Sequence, residues 1–131
     1  MTGPAFERKF PPAPAEVAPA RGALRTWLQT LADLEEQELD DILVVASELI
    51  TNGVYHDGGN DITVNVERHL AGVNIAVTTV EHAPGHEPRY RGIVDPLERG
   101  RGLDIVRALS DGFSVDMHGD RRSTSCRVAI A

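Results

Sequence analysis

Residues 36–59 read EQELDDILVVASELITNGVYHDGG. Leu39, Ile42, Leu43, Ala46, Leu49 and Ile50 recur at helical spacing, so the stretch predicts a helix from about Glu36 to Tyr55. His56-Asp57-Gly58-Gly59 supplies its stop signal, a histidine in the last turn with glycine after it. Gly53 lies inside the helix, where glycine costs about 1 kcal/mol relative to alanine. A close approach of another element would explain it, and so would drift at a tolerant position.

Upstream, Val17, Leu24, Trp27, Leu28 and Leu31 predict an earlier helix that begins near residues 16–21 and runs to about Leu34. Five prolines (Pro4, Pro11, Pro12, Pro14 and Pro19) exclude a central strand or long helix at the start. There, Phe6 to Phe10 (FERKF) alternates as a short edge strand, and residues 1–15 read as that strand and its connector. Downstream, Ile62 to Arg68 and Val73 to Glu81 form a β-branched hairpin around Leu70-Ala71-Gly72. Periodicity is lost from His82 to Arg99, a long loop with Pro84, Gly85, Pro88, Gly92 and Pro96. Gly100-Arg101-Gly102 opens a third helix, Leu103 to about Leu109. Phe113 to Met117 and Ser125 to Ile130 close the chain as a hairpin around His118-Gly119-Asp120. The order β-α-α-β-β-loop-α-β-β predicts an α+β two-layer sandwich. Its sheet is mixed and mainly antiparallel, with three helices on one face.

The chain of 131 residues has the length of one domain, 1–131. Only six aromatics (one Trp, two Tyr, three Phe) are present, so the core must be aliphatic. No apolar run reaches a membrane span and no signal peptide is visible, which predicts a cytoplasmic protein. Cys126 is the single cysteine, so no internal disulfide forms. The net charge of -7 argues against bulk binding to nucleic acid or to an anionic membrane.

Several groups of residues can carry chemistry. Glu48 and Asn52 are four apart on the long helix, hence on one face. The amide oxygen is a hard ligand suited to Mg²⁺, and the carboxylate can orient or deprotonate a hydroxyl. A solvated helix face is the plain alternative. Gly100-Arg101-Gly102-Leu103 places free N–H groups and close-approach glycines at a helix start, an arrangement that suits phosphate. It is neither a P-loop nor a Rossmann fingerprint. Arg89, Arg91, Arg99 and Arg101 form a basic stretch beside it, which is either a solvated loop or a neutraliser of polyphosphate or of an acidic partner. Glu81, leaving a strand into Pro84-Gly85, can accept hydrogen bonds from a base or a ribose, or is a strand-end charge. His82 and His86 read as solvated loop histidines, and Cys126 as a buried strand residue.

The blocks SELITNGVYHDG (47–58), TVEHAP (79–84) and GRGLDIVRALSD (100–111), with a hairpin after them, resemble the Bergerat-fold (GHKL) ATPases. The chain is most similar to their anti-sigma-factor serine/threonine kinase branch in actinobacteria. The resemblance implies the histidine-kinase-like ATPase fold, ATP and Mg²⁺. It implies Glu48 as general base, Asn52 as the magnesium ligand, and phosphates cradled by Gly100, Arg101, Gly102 and Leu103. Residues 82–99 match the ATP lid, His56 a basic group near the phosphates, and Ser125 (Thr124 as second choice) a hydroxyl that helps to hold adenine. Glu81 aligns with an aspartate that reads the adenine amino group, one methylene longer, and Gly85 is the glycine that remains of that block. The implied function is an anti-sigma factor that phosphorylates an antagonist protein; its implied partners are that antagonist, a sigma factor and a second copy in a homodimer. The altered Glu81 block motivates the alternative, a non-catalytic partner-binding module of the same fold with weak or lost nucleotide binding. The catalytic half of a sensor histidine kinase fits less well, since no phospho-acceptor hairpin precedes the domain.

Overall fold

The computed structural model describes residues 3–56, 61–80 and 104–130. Their order is β1 (Ala5–Phe10), a 3₁₀ turn (Pro14–Glu16), α1 (Val17–Leu28), α2 (Glu36–His56), β2 (Ile62–His69), β3 (Gly72–Val80), α3 (104–109), β4 (Asp111–His118) and β5 (Arg121–Ala129). The strands form one sheet in the order β1-β2-β3-β5-β4. Each of its four pairings is antiparallel, so the described sheet lacks the mixed character expected.

Strand alternation divides the sheet into two faces. Val64, Val66, Val73, Ile75, Val77, Cys126 and Val128 point to the face that α1, α2 and α3 cover, and all are buried. Leu24 and Leu28 of α1, Leu43, Leu49 and Ile50 of α2, and Val106 of α3 complete this aliphatic core. Phe6 and Trp27 pair at its β1 edge, with ring centroids 5.7 Å apart. Asn65, Glu67, Asn74, Thr78, Ser123, Ser125 and Arg127 take the opposite, polar face.

Two boundaries differ from the sequence expectation. The first helix ends at Leu28, and Thr30, Leu31 and Leu34 continue as three-residue turns, each N–H donating to the carbonyl three positions back. Pro19 sits in the first turn of α1, where its missing N–H has no intrahelical partner to lose. The last strand begins at Arg121, four residues before the expected start, because a two-residue turn at Gly119-Asp120 pairs His118 with Arg121. Gly119 has φ +66°, which suits glycine at the first position of such a turn.

The α1–α2 connection is tied to the sheet. The Arg68 guanidinium donates to Asp33 Oδ2 at 2.5 Å, while the Arg68 backbone N–H donates to the Pro4 carbonyl at 2.9 Å. Arg68 thereby joins the N-terminal edge, β2 and the loop before α2.

Candidate functional site

The site is built where α2 crosses β3. Glu48 and Asn52 are both half-buried and stand one helical turn apart, beside the buried Val45, Leu49 and Gly53. Glu48 is engaged in an interaction of its own. A Cβ built on Gly53 would meet Val77 Cγ1 at 3.0 Å, Thr79 Cγ2 at 3.5 Å and Ile62 Cγ2 at 3.7 Å. The close approach that would explain a mid-helix glycine is therefore present, and the partner is the β2–β3 hairpin. Gly53 seats α2, one residue past Asn52, against the last residues of β3.

The sheet below the helices carries two buried polar side chains among the described residues, Thr79 at 4 % exposure and Thr124 at 6 %. Register explains both. Val77 opposes Thr124, and Thr124 opposes Val115. One rung further, Thr79 opposes Arg122, and Arg122 opposes Met117. All six belong to the helix-facing set. The rungs lose their cover toward β4, where Val115 is 42 % and Met117 50 % exposed. An apolar floor with two hydroxyls and one guanidinium thus continues outward from the place where α2 meets β3.

The structure separates Ser125 from this group. Ser125 opposes Ala76 and Ser114 on the polar face, with its hydroxyl 3.0 Å from that of Ser114. There it lines an open groove of about 390 Å³ together with Asn65, Asn74 and Arg127. A strand alternates faces residue by residue, so Ser125 lies on the face away from the helices, and Thr124, the second choice, lies on the helix-facing side with Thr79. His56 ends α2. Glu81, Gly85, Gly100, Arg101, Gly102, Leu103 and the expected lid 82–99 lie outside the described residues. Sequence reasoning missed Thr79 and Arg122. With the last strand begun at Ser125, Arg122 fell in the turn; the two-residue signal His-Gly-Asp-Arg at 118–121 could have moved that start.

The donor set at Asn52 and Glu48 fits magnesium, because an amide oxygen and a carboxylate are both hard ligands. Among the described residues no three His, Cys, Asp or Glu side chains group into a cage. A cation here would complete its shell with phosphate oxygens and water, as Mg²⁺ commonly does. Cys126 belongs to the core instead, and burial pushes its thiol above the ordinary value.

Comparison with known proteins agrees with the fold. The family profile of the histidine kinase-like ATPase domain matches residues 10–128. Thirteen solved chains match the fold. One is the crystal structure of the RsbU and RsbW domains of Rv1364c from Mycobacterium tuberculosis, with a TM-score of 0.68 and 18 % identity. The match covers 98 % of this chain and 33 % of that one, so this chain spans about a third of its length. No curated protein sequence matches the chain.

Proposed function

The chain belongs to the histidine kinase-like ATPase domain family, and from that premise we propose that it is an ATP-dependent serine/threonine protein kinase that regulates a sigma factor. The family implies ATP as the ligand. The observation that carries the catalytic reading is the Glu48–Asn52 pair, held one turn apart on α2 where Gly53 seats the helix on Val77 and Thr79. Asn52 would hold the cation through its amide oxygen. When bound, Mg²⁺ neutralises phosphate charge. Glu48 accepts the proton of a serine or threonine hydroxyl on an antagonist protein. The hydroxyl oxygen bonds to the γ-phosphorus, the bond to the bridging oxygen breaks, and ADP leaves with that electron pair. Thr124, on the helix-facing side of β5, supplies the hydroxyl that helps to hold adenine. The sigma factor, the antagonist and a homodimeric state rest on the motif resemblance.

Calorimetry with Mg-ATP and Mg-ADP tests the binding half. Micromolar binding that Asn52→Ala abolishes is the expected result, and no binding by the unaltered chain refutes the proposal. Transfer of labelled γ-phosphate to a candidate antagonist, lost in Glu48→Ala, tests the catalytic half. The second reading, partner capture without catalysis, is favoured by Glu81, one methylene longer than the aspartate it aligns with. Partner binding by a chain that transfers no phosphate would select it.

A further inference from the structure

Among the side chains on the helix-facing side of β5, Arg122 is the exception. Thr124, Cys126 and Val128 share its face and are all buried, and none carries a charge. Arg122 is half-buried between Thr79 on β3 and Met117 on β4. A half-buried guanidinium is partly desolvated, so an anion that meets it there interacts more strongly than it would in open water. The rung also touches α2, next to the closer Val77–Thr124 rung. The methyl of Thr79 lies 3.5 Å from a Cβ built on Gly53, the residue next to Asn52. Opposed Cα atoms in an antiparallel pair are about 5 Å apart, and an arginine side chain reaches further than that. Arg122 is engaged within the chain as it stands, so a ligand competes for it rather than finding it idle.

From this juxtaposition we infer that Arg122 is a phosphate-binding residue of the nucleotide cleft, supplying from the sheet the positive charge that faces Asn52 across the Gly53–Thr79 contact. Guanidinium suits this role because it stays protonated and offers a planar fork of donors to phosphate oxygens. The charge matters in a chain of net charge -7, which otherwise repels a polyphosphate. The inference rests on the nucleotide-binding reading above and adds a residue to it.

The test is a calorimetric series on the full chain with ATP, ADP, AMP and adenosine in Mg²⁺, repeated for Arg122→Ala, Arg122→Gln and Arg122→Lys. We expect Arg122→Ala and Arg122→Gln to weaken ATP at least tenfold, with a smaller loss for AMP and less than twofold for adenosine. Arg122→Lys keeps most of the affinity, and the salt dependence of ATP binding becomes shallower in the uncharged variants. Thermal melting without nucleotide identifies a variant that has failed to fold, in which case the Lys and Gln pair decides. Equal losses for adenosine and ATP overturn the phosphate assignment, and so does ATP binding that no variant changes. Failure of the unaltered chain to bind either ATP or tripolyphosphate overturns the nucleotide reading as well, which separates the two failures.

Discussion

Gly53 shows how a single position couples helix to sheet. Its own helix would gain about 1 kcal/mol from alanine, but Val77 Cγ1 stands 3.0 Å from the added carbon. Val77 is β-branched, buried, and pinned by pairing on both sides, to Val64 and to Thr124. Gly53→Val therefore overpacks the contact and should cost about 1–3 kcal/mol in urea unfolding, with Val77→Ala in the same chain recovering part of it. The two hydroxyl residues of β5 give a sharper separation. Thr124→Val should weaken nucleotide binding severalfold, whereas Ser125→Ala, on the other face, should leave it unchanged; isothermal titration reads both. Cys126 adds a pH effect. Burial raises its thiol, the Ser110 hydrogen bond lowers it, and Asp111 raises it again, with a net shift upward from 9.0. The folded chain thus keeps a proton that the unfolded chain gives up first. The stabilisation is complete below the usual thiol range and disappears as pH climbs through the folded value. Thermal melts should fall faster above pH 9 in the unaltered chain than in Cys126→Ala. The sequence revealed that Gly53 was unusual but not what approached it, because proximity between residues 53 and 77 is a tertiary fact.

At the level of elements, α2 carries both halves of the argument. Its buried stripe of Ile42, Leu43, Val45, Ala46, Leu49, Ile50 and Val54 is the seam that joins the layers. Leu49 is 1 % exposed and adjoins Glu48, so Leu49→Ala should cost about 2–5 kcal/mol, measured by denaturant unfolding. That helix was legible because its apolar residues recur strongly over a long window. The hairpin β2–β3 was legible for the same reason at period two. The closing hairpin was legible only in part: Arg121-Arg122-Ser123-Thr124-Ser125 offers no apolar alternation, and the pattern resumes at Cys126. Those residues are in a strand because β3 and β4 pair with them on both sides, a tertiary cause that local pattern does not report. The half of the site that escaped sequence reasoning is the half that lies on this stretch. The α1 boundary moved for a related reason, since Leu31 and Leu34 remain packed on the core through short turns and so keep helical spacing without a helix.

For the molecule as a whole, the sheet order places distant parts of the chain side by side. Phe10 of β1 opposes Ile62 of β2, and β3 lies between β2 and β5. Phe10 is 2 % exposed, so Phe10→Ala should cost about 3–5 kcal/mol. Because its pairing closes a long stretch of chain, we expect the loss to appear mainly as faster unfolding in stopped-flow measurements, with folding rate little changed. One-sided cover of the sheet among the described residues explains why composition could forecast an aliphatic core, while leaving the site to be found by register. The adjacency of β3 and β5 has a further consequence. Val80 opposes Arg121 at the end of a nine-rung ladder, and everything from 81 to 120 leaves and returns at that point. Val80 and Arg121 are held together by the ladder, so doubling the length of a span between them adds only about 0.6 kcal/mol of closure cost. A change in the length of the chain between β3 and α3 is therefore cheap in closure entropy.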